Sequence, residues 1–152
     1  MVTLELTETA AMQNPELTMD ILARLRLKDV NLSLDDFGTG FSSLTQLYHM
    51  PFNELKIDTS FVGDMGTNED ARAMVEGLIY LAHKLKMKTC AEGVEDEVTL
   101  RLLEQMRCDK AQGHLLGSAV RPTELESLIG RRNEEAAQRE PPVAATGSAP
   151  VP

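Results

Sequence analysis

Short runs of alternating apolar and polar residues recur along the chain, and they predict β-strands with one buried face. The segment Val2-Thr3-Leu4-Glu5-Leu6 is the first example. Segments with an apolar residue every three or four positions lie between these runs and are typical of amphipathic helices. Strands that alternate with helices in this way predict βα units and a parallel sheet. The predicted strands cover residues 2–7, 30–35, 54–58, 88–92 and 110–114.

Several predicted helices carry recognisable start signals. Asn14 followed by Pro15 is typical of an N-cap with proline at the first helical position. The longest helix is predicted to start near Asn68, because an apolar stripe with helical period follows that residue. Further helices are predicted after Glu95-Asp96, after Pro122-Thr123 with an end near Gly130, and over residues 43–48.

Polar positions within the strands favour a barrel over an open sheet covered by helices on both faces. In the second predicted strand Leu32 and Leu34 share one face, whereas Ser33 and Asp35 share the other. Parallel strands with helices on both sides usually read as continuous apolar runs, and these do not. A barrel with a polar lumen fits better, because catalytic groups gather at its strand C-termini. We therefore predict an α/β fold, a partial TIM-like (β/α) barrel.

Composition and charge narrow the class of protein. The 152 residues suffice for one ordinary domain, and no run reaches the ~20 apolar residues of a membrane-spanning helix. The 15 Lys and Arg against 24 Asp and Glu give a formal net charge of −9, which argues against bulk nucleic-acid binding. The start of the chain has no export signal, and Cys90 and Cys108 lack metal-site spacing. We expect a cytoplasmic protein.

The end of the chain differs in composition from the rest. Residues 136–152 hold four of the seven prolines and no apolar residue larger than valine. Such a segment cannot bury enough apolar surface to offset the entropy lost on ordering. We therefore predict a domain over residues 1–130 and a disordered Pro- and Ala-rich tail over residues 131–152.

Acidic residues at or near the predicted strand ends would converge at one end of a barrel. Like charges at short range repel one another, so either some carboxyls are protonated or cations lie among them. Oxygen ligands without His or Cys favour a hard cation, Mg²⁺ or Mn²⁺, over zinc. The alternative is a set of lumen salt bridges and helix caps. The acidic residues concerned are Glu5, Asp35, Asp36 and Glu92, and Lys56 and Gln112 lie at strand ends with them.

Five motifs, in their order along the chain, resemble those of the EAL-domain family of bacterial cyclic-di-GMP phosphodiesterases. They are ELTE at residues 5–8, DDFGTGFSSL at 35–44, LKID at 55–58, AEGVE at 91–95 and QG at 112–113. The resemblance covers roughly residues 2–129. It implies a TIM-like barrel that hydrolyses cyclic di-GMP to linear pGpG with two divalent ions, Mg²⁺ or Mn²⁺.

The resemblance also implies a role for each matching residue. Lys56 would hold the attacking water or the developing negative charge, and Gln112 would help to position the water or an outer metal-bound ligand. Glu92 would serve both the metal and the catalytic centre. Glu8 would anchor the loop after Asp36. The implied metal ligands are Glu5, Asp35, Asp36 and Glu92.

Some expected features of the family are absent from the chain. The Glu-Ala-Leu motif and a metal-binding Asn belong to earlier strands and do not appear before Val2. A complete barrel takes ~250 residues, so the resemblance implies that the N-terminal half of the barrel is missing. Two exposed edge strands would favour self-association. His114 stands where the family usually has an aromatic residue, and we expect it to be a packing residue.

Three functions are compatible with these observations. The chain could be part of a phosphodiesterase that is active when the missing half is supplied. It could instead be a catalytically inactive fragment that binds cyclic di-GMP, or pairs with an intact EAL domain, as a regulator. A fragment without a stable function is the third alternative.

Overall fold

The structure, a computed structural model, describes residues 2–38, 44–118 and 120–138. The chain divides into two compact units, Met1–Ser118 and Ala119–Pro152. Among the described residues no helix is both long and apolar enough to cross a membrane.

The first unit contains five parallel strands in the order β1-β2-β3-β4-β5. Each strand pairs with the next one along the chain, as in a (β/α) barrel, but the sheet is open. The predicted α/β fold with strands alternating with helices is thus confirmed. The strands are β1 Thr3–Thr7, β2 Asn31–Phe37, β3 Glu54–Ile57, β4 Lys88–Ala91 and β5 Lys110–Ala111.

Helices connect these strands, and polar side chains begin several of them. Asn14 caps the second helix by accepting from Leu17 N at 3.3 Å, and Asn68 and Asp96 cap two others in the same way. The helices of the first unit are α1 Glu8–Gln13, α2 Pro15–Arg26, α3 Leu44–His49, α4 Thr59–Asp64, α5 Glu69–Lys84 and α6 Glu97–Gln105, and the second unit contains α7 Pro122–Gln138.

The apolar core lies between one face of the sheet and the helices. Leu34 and Leu55 are register partners on β2 and β3, and both are fully buried. Helix α5 contributes Val75, Ile79 and Ala82 at helical spacing to the same core. Each fully buried Leu, Ile or Val stabilises the fold by ~1.5–3 kcal/mol, so this face holds the sheet in place.

The second unit differs from the sequence prediction. We expected the helix that begins near Pro122 to end near Gly130, but α7 continues to Gln138. Gly130 lies inside this helix, and residues 131–138 are helical where we predicted the start of a disordered tail. The first compact unit ends at Ser118, and the predicted domain boundary after residue 130 stays a prediction. Residues 139–152 lie outside the described part, so their disorder stays a prediction.

Candidate active site

The side chain of Lys56 connects three other predicted site residues. Its Nζ lies 2.9 Å from Glu5 Oε2, 3.1 Å from Asp35 Oδ1 and 2.8 Å from Glu92 Oε1. Lys56 projects from the face of β3 opposite to Leu55, because side chains alternate along a strand. The structure thus brings together four predicted site residues from β1, β2, β3 and the end of β4.

Lys56 is buried and carries its charge. Only 7% of its side chain is exposed. Burial by itself lowers the pKa of this lysine, but hydrogen bonds to Glu92, Glu5 and Asp35 outweigh that effect and raise the pKa well above its ordinary value. Three carboxylates that face one ammonium leave a formal excess of two negative charges. Such a field attracts further cations.

An irregularity in β2 places two adjacent carboxylates outside the core. The register with β3 shifts between Leu34 and Phe37, and Asp36 adopts a left-handed conformation with φ 57°. Regular alternation would put Asp36 on the same face as Leu34. With the shift, Phe37 is buried against the core instead, whereas Asp35 and Asp36 are only partly buried. Asp36 N also donates to Asp35 Oδ1 at 3.1 Å.

Glu8 fixes the segment that follows this pair. It is the first residue of α1 and is buried, and its Oε2 accepts a hydrogen bond from Gly38 N at 3.0 Å. The resemblance implied this anchoring role. Residues 39–43 of the DDFGTGFSSL motif lie outside the described residues.

Backbone hydrogen bonds to residues on either side of Glu92 hold Gln112 near it. Gln112 N donates to Ala91 O at 2.8 Å, and Val94 N donates to Gln112 O at 3.0 Å. The side chain of Gln112 is exposed. His114, for which we expected a packing role, is also exposed, and its Nδ1 lies 3.6 Å from Glu95 Oε1. That expectation was wrong, since 81% of the His114 side chain is exposed.

A second polar layer lies on the same face of the sheet as Lys56, and sequence reasoning missed it. Glu54 is buried, accepts from Ser33 Oγ at 3.1 Å and forms an ion pair with Lys110. Cys90, the register partner of Lys56, is also buried, and burial is the main cause that raises its pKa to about 11. Glu54 is two residues before Lys56 on β3, so the two side chains share one face of the strand. This spacing is the sequence signal that could have identified Glu54.

The predicted metal ligands have the chemistry that a hard divalent cation requires. All four are carboxylates, which suit Mg²⁺ or Mn²⁺. Within the part of the chain that the structure describes, no group of three or more His, Cys, Asp or Glu side chains is arranged to hold a metal ion. Three of the four carboxylates are instead gathered around the ammonium of Lys56.

Comparison with known proteins identifies the family. The sequence profile of the EAL domain matches residues 1–119. This chain belongs to the EAL domain family. MucR of Pseudomonas aeruginosa, a bifunctional diguanylate cyclase/cyclic di-GMP phosphodiesterase, is 40% identical to this EAL domain over 126 residues, which make up 83% of the chain.

Solved structures of the family share the fold. The c-di-GMP complex of PaMucR phosphodiesterase matches 81% of this EAL domain with a TM-score of 0.77 and 39% identity. The manganese/cyclic-di-GMP complex of Klebsiella pneumoniae BlrP1 matches 75% of it with a TM-score of 0.70 and 29% identity. The chain spans 18% of MucR, 50% of the PaMucR chain and 29% of the BlrP1 chain. It therefore corresponds to part of each of these proteins.

Proposed function

We propose that this EAL domain contributes the catalytic C-terminal part of a cyclic di-GMP phosphodiesterase, which forms linear pGpG when the rest of an EAL barrel is present. The observation that carries the proposal is the gathering of Glu5, Asp35 and Glu92 around Lys56 at one end of parallel strands. Catalytic groups of (β/α) barrels occupy this end. The phosphodiesterase activity of MucR, a relative of this chain, supports the same reaction.

The residues that would hold two divalent cations are Glu5, Asp35, Asp36 and Glu92. The manganese in the BlrP1 complex supports Mn²⁺ or Mg²⁺ as the ion. When bound, two such ions would lower the pKa of a water and neutralise charge on a phosphodiester. The excess negative charge around Lys56 would favour their binding.

Lys56 is suited to stabilising negative charge during hydrolysis. An ammonium has three N–H donors, so Lys56 can exchange one carboxylate for an oxygen of water or phosphate and keep the other two. Gln112, exposed at the neighbouring strand end, would orient the attacking water. In the reaction the water oxygen bonds to phosphorus, one phosphorus–oxygen bond to a ribose breaks, and the leaving ribose oxygen takes up a proton.

The test is formation of pGpG from cyclic di-GMP with Mg²⁺ or Mn²⁺. The chain is assayed alone and mixed with a separately expressed N-terminal half of an EAL domain, and we expect product in the mixture. Lys56→Ala should abolish turnover and keep metal binding, whereas Asp36→Asn should lose both. Lys28→Ala, which removes an exposed lysine in the turn after α2, is the matched control and should keep the wild-type rate.

Two results would count against the proposal. The absence of pGpG from the mixture at high protein concentration would remove the enzymatic function. Equal rates for the wild type and for Lys56→Ala or Asp36→Asn would refute the assignment of those residues.

A regulatory function is the second candidate. Within the described residues the three gathered carboxylates bind Lys56 rather than forming a metal-type cluster, and this favours binding without turnover. Under this alternative the protein binds cyclic di-GMP saturably, or co-purifies with an intact EAL domain, and forms no pGpG. Isothermal titration calorimetry and the product assay together separate the two functions.

We place this function in the cytoplasm. Cys90 and Cys108 are both free thiols in the structure, as is usual for proteins of a reducing compartment. Fractionation of cells that express the chain would test the location.

A further inference from the structure

Helix α4 begins directly after the strand that carries Lys56. Its N-cap is Asp58, whose side chain accepts a hydrogen bond from Ser60 N at 2.9 Å. This contact with Ser60 is also the main reason why the pKa of Asp58 is lowered. The cap holds the first turn of α4 in a defined position relative to the end of β3, only a few residues from Lys56.

The first residue of α4 fills the space beside Gly93. A β-carbon placed on Gly93 would lie 2.4 Å from Thr59 Cγ2 and 2.8 Å from Thr59 Oγ1, which is closer than such atoms approach in proteins. Gly93 also has φ +68°, a conformation that other residues rarely adopt. Gly93 follows Glu92 directly. The position of Thr59 therefore limits where Glu92 can lie.

The same turn of α4 contacts the segment after the paired aspartates. A β-carbon placed on Gly38 would lie 3.4 Å from Phe61 Cε2, and Gly38 has φ +95°. Gly38 comes two residues after Asp36, and its N–H is the group bound by Glu8. Phe61 thus packs against the end of the segment that carries Asp35 and Asp36.

We propose that the first turn of α4 is a spacer, formed by Thr59 and Phe61, that sets the separation of Glu92 from the Asp35–Asp36 pair. Thr59 and Phe61 are positioning residues, since each acts through the glycine that it contacts. The proposal rests on the proposed function in so far as these carboxylates hold cations. Residues that orient ligands without touching the metal typically change metal affinity by about 10- to 100-fold when they are mutated.

The first experiment measures hydrogen exchange in the metal-free chain by NMR. Glu92 N donates to Ile57 O at 3.1 Å, and Gly38 N donates to Glu8, so these two amides report on the two sides of the spacer. Thr59→Gly should speed the exchange of the Glu92 amide and leave that of Gly38 unchanged. Phe61→Leu should do the reverse. Thr59→Val, which keeps the branched shape, should resemble the wild type.

Two controls separate positioning from a general loss of stability. Glu69→Gly places a glycine at the first residue of α5, the helix position equivalent to that of Thr59 in α4. The Thr89 amide, bound by Asp109 Oδ2 at 2.9 Å, is the reference within β4. Unchanged exchange of the Glu92 amide in Thr59→Gly would overturn the proposal. So would an equal increase at the Thr89 amide, or an equal effect of Glu69→Gly.

The second experiment measures Mn²⁺ binding to the same variants by calorimetry. Thr59→Gly should weaken Mn²⁺ binding about tenfold, whereas Thr59→Val and Glu69→Gly should bind as the wild type does. Equal affinity in Thr59→Gly would contradict a role of the spacer in the metal site. If the wild type binds no Mn²⁺, the metal part of the proposed function fails, and the exchange experiment still decides whether the spacer exists.

Discussion

Gly113 shows how a single residue controls the position of a strand end. A β-carbon on Gly113 would lie 2.2 Å from Val94 O and 2.3 Å from Val94 N, and a backbone in a packed loop cannot move aside easily. We predict that Gly113→Ala lowers the free energy of unfolding by about 1–3 kcal/mol, as overpacking does elsewhere. Urea denaturation measures the change.

Gly77 offers a matched control for this prediction. It lies inside α5, and a β-carbon there would have no neighbour within 4 Å among the residues that the structure describes. Gly77→Ala should therefore stabilise the protein by about 0.5–1 kcal/mol, because alanine loses less conformational entropy in a helix. If both substitutions change the free energy of unfolding equally, the close approach of Gly113 to the Val94 backbone does not exclude a side chain at position 113.

Lys56 should matter for stability as well as for turnover. Its removal in Lys56→Ala leaves Glu5, Asp35 and Glu92 close together without their shared ammonium. We predict a loss of about 1–3 kcal/mol in the free energy of unfolding, because the carboxylates left without their partner are partly exposed and water solvates them in part. Denaturation at neutral pH checks this, with Lys28→Ala as the exposed control. An unchanged midpoint would show that the carboxylates are adequately solvated without Lys56.

At the residue scale, the alternation of side chains between the two faces of each strand was enough to predict part of the candidate site. Glu5, Asp35, Lys56 and Glu92 do meet, because their positions follow from strand alternation and from parallel pairing. The close approach of Thr59 to Gly93 could not be predicted in this way. It depends on contacts between loops that are far apart in the sequence, which periodicity does not encode.

At the scale of elements, Asp109 joins α5 to the end of the sheet. Its Oδ2 accepts from Thr89 N at 2.9 Å and from Thr89 Oγ1 at 3.0 Å, and it lies 2.8 Å from His83 Nε2. Burial alone would raise the pKa of Asp109, but the hydrogen bonds from His83 and Thr89 lower it below its ordinary value. The ionised carboxylate is therefore the form that the fold favours.

This lowered pKa predicts how stability depends on pH. A carboxyl whose pKa is lower in the folded state contributes stability above about pH 4, and the contribution is lost as the pH falls through the folded pKa. Asp109→Asn should therefore be about 1.5 kcal/mol less stable at pH 7, and the difference should shrink as the pH falls below about 4 toward the folded pKa. Urea denaturation at pH 7 and at several pH values below about 4 is the measurement. Glu76→Gln, an exposed carboxylate on α5, is the control and should show neither effect.

Element prediction succeeded for the periodic segments and failed for short helices that adjoin the end of a strand. The first four strands and helices α2, α5 and α6 lie close to where alternation and capping residues predict them. The six-residue helix α3 also lies close to its prediction. Helices α1 and α4 were missed, since α1 follows β1 directly and only the N-cap Asp58 separates α4 from β3. Strand β5 is shorter than predicted because pairing with β4 ends at Ala111. Gly130 was misread as a helix end, although a glycine can also lie inside a helix.

At the scale of the molecule, β1 forms one edge of the open sheet. Val2 and Leu4 are 70% and 42% exposed there, and an unpaired edge strand can pair with another chain. We predict that the chain self-associates at high concentration and that Leu4→Lys reduces this association, since an edge lysine opposes strand pairing. Sedimentation velocity is the measurement.

A lysine substitution away from β1 tests whether association depends on the strand edge or only on exposed apolar surface. Val98 on α6 is 52% exposed, so Val98→Lys removes similar apolar surface away from β1. We expect Val98→Lys to associate as the wild type does. If both variants lower the sedimentation coefficient equally, or neither does, the edge is not the site of association.

The two cysteines differ in their surroundings in a way that allows selective labelling. Cys90 is buried with its pKa raised to about 11, whereas Cys108 is half-buried near the start of β5. Because burial and the raised pKa keep Cys90 inaccessible and in the unreactive thiol form, we expect a maleimide dye at neutral pH to attach to Cys108 instead. The natural chain can thus be labelled with one fluorophore at Cys108. The emission of that fluorophore can report the binding of another EAL-domain chain without any engineered cysteine.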